Sequence, residues 1–127
     1  MNEVILDASA FLALINRETG CEVVQDVISR SVMSSVNVAE VVAELNFRLS
    51  IPINEAEKMI NSLVKIVDFN CKQAILAASL KKTTSHLGLS LGDRACIGLG
   101  IALGLPVYTA DRIWSKLNLD LEIIVIR

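Results

Sequence analysis

Val4-Ile5-Leu6-Asp7-Ala8-Ser9-Ala10 decides the fold. An apolar run this short, with no polar alternation, reads as a strand buried on both faces, here over residues 3–6. The chain then passes directly into a helical pattern from Ala8 to Ile15, with Asp7 at the junction. The same order returns near the other end: Val107-Tyr108-Thr109 as a strand, then Ala110-Asp111, then a helical turn over Arg112 to Lys116. Strands that feed helices point to an α/β architecture with a mostly parallel sheet.

The intervening sequence fits that architecture. A helix is expected from Cys21 to Ser29 after the break at Gly20, and a short strand over Val32-Met33-Ser34-Ser35. Asn37 is placed to cap a helix running to Leu49, with the apolar stripe Val38, Val41, Val42, Leu45 and Leu49. Ile51-Pro52 ends it, and a further helix begins at Asn54. Lys65 to Phe69 reads as a strand, Asn70 as the cap of a helix to Thr84, and Ser90 as the cap of the most hydrophobic helix, which stops near Gly104. Glu122 to Ile126 supplies a last strand. The expectation is one domain over residues 1–127 with three α/β/α layers around a sheet of about five strands. Sites in such sheets lie outside the carboxyl ends of the strands, which is where Asp7 and Asp111 fall.

Composition narrows the function. At 53% hydrophobic residues and a mean hydropathy of +0.54, the chain carries more apolar surface than so small a domain hides, so a subunit interface or a partner groove is expected. The longest apolar run, Ala95 to Val107, is broken by glycines and Pro106 and falls short of the ~20 residues of a membrane span. Met1-Asn2-Glu3 lacks the basic start of a signal peptide. Cys21, Cys71 and Cys96 form neither a disulfide framework nor a zinc motif, so a cytoplasmic setting is expected. The net charge of −2 argues against a nucleic-acid binder unless several acids hold a cation that inverts the local field. The aromatic residues, Phe11, Phe47, Phe69, Tyr108 and Trp114, are too few for a base-stacking grip on single strands.

Asp7, Glu40, Asp93 and Asp111 each stand where a strand feeds a helix or where a helical stretch begins. Gathered at one sheet edge they repel one another unless a cation sits between them, so the set reads as a metal site. Each acid has a structural alternative. Asp7 and Asp111 can cap the helical turns that follow, and Glu40 and Asp93 stand three residues after Asn37 and Ser90, the spacing of a capping box. The two roles are compatible, since a helix N-terminus favours a carboxylate. Glu44 lies one turn from Glu40, and Arg48 a further turn on offers it an ordinary ion pair.

The order Asp7-x-Ser9, Ala39-Glu40, Leu89-Ser90-x-x-Asp93 and Thr109-x-Asp111 resembles the PIN-domain family, and length and layout are similar to the VapC toxin ribonucleases of toxin–antitoxin pairs. The resemblance covers essentially the whole chain, and no acid of the set is missing. It implies a metal-dependent endoribonuclease in which Asp7, Glu40, Asp93 and Asp111 surround Mg²⁺ or Mn²⁺ and a metal-activated water cleaves RNA. Ser9 and Thr109 would be supporting hydroxyls. The resemblance further implies a cognate antitoxin seated near the active site, a homodimer, and an RNA substrate, with transfer RNA the first choice and ribosomal and messenger RNA left open. It carries no role onto Glu44.

Other residues are weighed on their own. Arg94 and Arg112 follow two of the acids and are candidates for RNA phosphate contacts, against the alternative of local pairing or solvent. Lys72, Lys81 and Lys82 fit a solvated helix face better than an RNA edge. His86 belongs to none of the motifs. Gly92, Gly98, Gly100 and Gly104 form no phosphate loop and point to close helix packing. Two other PIN-like readings are a housekeeping nuclease without an antitoxin and a binding scaffold without catalysis; the intact acids weigh against the scaffold. A phospho-receiver domain needs an acidic pair after the first strand and a late strand-end lysine, and an Asp-x-Asp phosphatase needs an acid at position 9; this chain has neither.

Overall fold

The computed structural model describes residues 2–127. Five short strands, β1 (Val4–Leu6), β2 (Ser31–Ser34), β3 (Lys65–Val67), β4 (Val107–Thr109) and β5 (Ile123–Val125), form one sheet in the order β3-β2-β1-β4-β5 with every pairing parallel. Seven helices connect them: α1 (Ala8–Ile15), α2 (Cys21–Val27), α3 (Ser35–Leu49), α4 (Ile53–Leu63), α5 (Cys71–Ser79), α6 (Lys81–Thr84) and α7 (Leu91–Leu103). The three-layer α/β expectation is met.

The sheet is covered on both sides, and β1 shows how. Val4 and Leu6 join a core with Phe11, Met33, Val41 and Leu45 under α1 to α4. Ile5 points the other way into a core with Val32, Ile97, Leu99, Val107 and Trp114. All three β1 residues are therefore buried, which is why this run carries no polar alternation. The chain leaves β1 toward β2 on one side and reaches β4 on the other, so the order reverses between β1 and β4. A crevice opens at such a reversal, beyond the carboxyl ends of the strands. Ile5 pairs with Val107 and Leu6 with Tyr108, and one step further this register sets Asp7 against Thr109.

Several boundaries differ from expectation. The third helix starts at Ser35, not at Asn37. Ser34 is its extended cap, with Oγ accepting from the Val36 amide at 3.3 Å, and Asn37 lies inside the first turn. Asn70 does cap α5, through the Gln73 amide at 2.9 Å, but the single helix expected to reach Thr84 breaks at Leu80. There Ser79 Oγ bonds back to the Leu76 carbonyl at 2.6 Å, competing with the helical ladder. Arg112 to Lys116 is a 3-10 turn rather than α-helix. Gly104 ends α7 in the left-handed conformation, and a side chain at Gly100 would overlap Val107.

Among the described residues no helix is long and apolar enough to cross a membrane. The apolar excess shows instead at the surface. Phe47 is 85% exposed, and Leu49 and Ile53 are exposed near the junction of α3 and α4.

Candidate metal centre

Asp7, Glu40, Asp93 and Asp111 line one cavity of about 290 Å³ at the β1/β4 crevice, with Glu44 as a fifth carboxylate. Ser9, Leu12 and Asn37 complete most of its wall, and no lysine or arginine lines it. A larger hollow of about 390 Å³ lies at the opposite end of the sheet between Gly104, Pro106, Leu119 and Glu122. It gathers two acids, Asp120 and Glu122, against the five of the crevice.

Asp7 is the most constrained of the acids. It is 3% exposed and caps α1, with Oδ1 accepting from the Ala10 amide at 2.8 Å. Thr109 Oγ1 donates to Oδ2 at 2.6 Å, and Ser9 Oγ lies 2.8 and 2.9 Å from the two oxygens. The hydroxyls are themselves oriented: Ser9 Oγ accepts from the Ala110 amide at 2.9 Å and Thr109 Oγ1 from the Asp111 amide at 3.0 Å. Each therefore has its own proton free for the carboxylate. Burial nevertheless pushes the Asp7 carboxyl up to about 6, with the Asp93 charge adding to the rise and the bonds from Thr109, Ala10 and Ser9 opposing it.

The other three acids each commit one oxygen to a described protein donor. Asp93 and Ser90 form a capping box at the start of α7, with the Ser90 amide on Asp93 Oδ2 at 2.9 Å. Asp111 caps its 3-10 turn through Oδ1 and the Ile113 amide at 3.1 Å. Glu40 accepts at Oε1 from Asn37 Nδ2 at 2.7 Å. The capping alternative thus holds for Asp7, Asp93 and Asp111, and fails for Glu40, which sits in the second turn of α3. Capping leaves Asp93 and Asp111 with an oxygen to spare, and they still line the cavity.

Burial pushes the Cys96 thiol on α7 well above its ordinary value, and the charges of Asp7, Asp93 and Glu40 push it further. Three of the acids therefore act on one buried point. Among the described residues no three His, Cys, Asp or Glu side chains are grouped tightly enough to hold an ion directly. That spacing fits mutual repulsion of like charges, and it fits an ion such as Mg²⁺, which keeps several waters and takes only one or two carboxylates. The donor set, hard oxygens with no counter-charge in the wall, suits Mg²⁺ or Mn²⁺ and does not suit a thiophilic metal.

The remaining candidates are placed elsewhere. Arg94, expected near phosphate, turns onto α5: its Nη1 donates to the Ala77 carbonyl at 3.0 Å, and it does not line the cavity. Arg112 stays exposed beside Asp111, with Nε on the Arg127 carbonyl at 3.0 Å. Glu44 pairs with Arg48, as its spacing suggested. His86 is exposed and outside the cavity. Two residues of the site escaped sequence reasoning. Asn37 was read as a cap, and Gly92 as helix packing. A Cβ at Gly92 would overlap both oxygens of Glu40, so its bare backbone lets α3 bring that carboxylate against α7. An asparagine one turn before a glutamate was the available signal for the first; nothing local marks the second.

No curated protein matches the chain. Solved structures do. The toxin VapC20 of Mycobacterium tuberculosis, described as cleaving the sarcin-ricin loop, superposes with a TM-score of 0.76 at 15% identity, over 94% of this chain and 99% of that one. A DNA-bound VapBC from Salmonella typhimurium gives 0.71 at 18% identity over 97% of both chains. VapBC2 of Rickettsia felis, bound to a promoter DNA fragment, gives 0.73 at 15% identity, over 94% of this chain and 96% of that one. At such identities the likeness establishes the fold. The PIN domain family model matches residues 4–119, nearly the whole length over which the parallel sheet and its acidic crevice are built, and the chain belongs to the PIN domain family.

Proposed function

We propose that this protein is a divalent-metal-dependent endoribonuclease and the toxin of a VapBC-type toxin–antitoxin pair. The observation that carries the reading is the crevice itself: five carboxylates line one cavity, and of these only Glu44 has a basic partner, Arg48. Such a wall raises the free energy of the protein alone and lowers it once a cation is present. Membership of the PIN family and a fold match to VapC20 along nearly both whole chains support the nuclease and toxin reading.

Asp7, Glu40, Asp93 and Asp111 would hold the ion. A bound Mg²⁺ or Mn²⁺ supplies Lewis acidity and a water acidified toward neutral pH. Ser9 and Thr109 fix the Asp7 carboxylate by donating to it, and the backbone amides behind them keep both protons pointed that way. Leu12 gives the cavity an apolar side. Arg112, exposed next to Asp111, is available to an RNA phosphate. The exposed apolar side chains Phe47, Leu49 and Ile53 near the α3–α4 junction support a homodimer or an antitoxin contact. Transfer RNA is the proposed substrate class.

The test is cleavage of total cellular RNA by purified protein with Mg²⁺ or Mn²⁺ and with EDTA, beside Asp7→Asn and Asp93→Asn. Discrete fragments that need metal and vanish in both variants are expected. Full cleavage by both folded variants, or intact RNA with the metal-loaded native protein, would overturn the reading.

A further inference from the structure

The geometry points to Asn37 as a positioning residue for the metal site. Its amide holds Glu40 and α7 in fixed relation. The inference rests on the metal-dependent reading above and concerns a residue outside the acidic set.

Asn37 is 1% exposed and lies in the first turn of α3, one turn before Glu40. Both hydrogens of its Nδ2 are committed, one to Glu40 Oε1 at 2.7 Å and one to the Gly92 carbonyl at 3.1 Å. Its Oδ1 is buried with no hydrogen-bond partner. Turning the amide over does not help: Oδ1 would then face a carboxylate and a carbonyl, three acceptors with no hydrogen among them. The orientation is therefore fixed by its neighbours.

Nothing in the fold requires this arrangement. Asparagine is a poor residue for a helix interior, and a buried amide oxygen without a partner costs free energy. Asn37 sits among the apolar positions of α3 that pack on the core, Val38, Val41 and Leu45, where leucine or alanine would serve stability better. What the amide does provide is a bridge. It ties Glu40 on α3 to the backbone at Gly92, the residue before Asp93, so the two acids keep their spacing across the gap between helices. Gly92 completes the seat, since any side chain there would overlap the Glu40 carboxylate. Asn37 stands in the cavity wall beside the carboxylate it holds, and both its amide hydrogens are used there. Groups that orient a metal ligand typically change metal affinity by ~10–100-fold when removed.

The experiment is Mn²⁺ binding by calorimetry to the whole protein in its native form and as Asn37→Ala, Asn37→Leu, Glu40→Gln and the Asn37→Ala/Glu40→Gln double variant, with thermal unfolding of each in EDTA. Asn37→Leu, which keeps the branched outline of the side chain, carries the test if Asn37→Ala folds poorly. The expected result is affinity weakened about tenfold or more in either single Asn37 variant, with unfolding in EDTA unchanged or raised. In the Glu40→Gln background, loss of Asn37 should cost much less, because the two act as a unit. Native-like Mn²⁺ affinity in Asn37→Leu, or the same factor lost with and without Glu40, would overturn the inference and leave the nuclease reading standing. Failure of the native protein to bind Mn²⁺ would remove both.

Discussion

Replacing Asp7 by asparagine should stabilise the metal-free protein while destroying its metal site. The carboxyl is buried and pushed from its ordinary value of 3.8 up to about 6. The folded state therefore holds this proton more tightly than the unfolded chain does. Its contribution is fully present below the unfolded value and is lost as pH rises through the folded one. The change across that window is about 3 kcal/mol, at about 1.4 kcal/mol per tenfold in acidity. An amide is neutral throughout, and the neighbours can accept it. The Ala10 amide and Ser9 hydroxyl still donate to its oxygen, its new NH₂ faces Thr109 Oγ1, and the Thr109 proton can turn to Ser9 Oγ, 3.3 Å away. Weaker hydrogen bonds offset part of the gain, leaving Asp7→Asn about 1–3 kcal/mol more stable than the native protein above pH ~7. That corresponds to a few degrees in Tm per kcal/mol for a domain of this size.

The assay is urea or thermal unfolding of both proteins in EDTA across the acid-to-neutral range. The difference between the two proteins isolates Asp7 from the other carboxylates. It should be smallest near pH ~4 and grow until pH ~6 is passed. Adding Mn²⁺ should narrow or reverse the difference at neutral pH, since the native protein gains about 2.7 kcal/mol at a hundred times its Kd and a variant bound tenfold more weakly gains only about 1.4 kcal/mol. A variant less stable than the native protein in EDTA at neutral pH, or a difference that does not change with pH, would refute the reasoning.

Three further outcomes follow from the same geometry. Gly92→Ala should leave the fold as stable or gain up to ~1 kcal/mol from helix propensity, yet weaken Mn²⁺ binding, because the methyl displaces the Glu40 carboxylate; unchanged calorimetric affinity would contradict this. Capping and metal binding should separate at the start of α7: Ser90→Ala costs about 1 kcal/mol in urea unfolding and largely spares Mn²⁺ affinity, whereas Asp93→Asn keeps a cap acceptor and loses affinity about tenfold. Phe47→Glu, at a side chain 85% exposed, should leave Tm nearly unchanged and convert a dimer to monomer in light scattering at micromolar concentration; a native protein already monomeric there would count against the dimer.

Much of the fold was readable because burial wrote it into short stretches. Val4-Ile5-Leu6 and Val107-Tyr108-Thr109 lie between two helical layers, and the acids after them stand at the strand ends of a parallel sheet. The strand order was not readable, since it depends on which runs pair, and it is this order that opens the crevice between β1 and β4. Ser90 and Asp93 met their capping box because that motif is local. Asn37 misled for the opposite reason. Its spacing to Glu40 imitates a cap, while its actual partners include the Gly92 carbonyl, 55 residues away. Arg94 likewise stands beside a site acid in sequence but points across to the Ala77 carbonyl of α5. Side chains whose roles are set by contacts between helices leave little trace in local pattern, as Asn37 and Arg94 both show.

The most direct measurement is the binding of Mn²⁺, followed by loss of its free-ion resonance signal, to the native protein and to Asp7→Asn, Glu40→Gln, Asp93→Asn and Asp111→Asn. The account predicts saturable binding to the native protein, weakened about tenfold or more by each single substitution. Binding to the four variants as tight as to the native protein would mean that the carboxylates of this crevice serve only the fold.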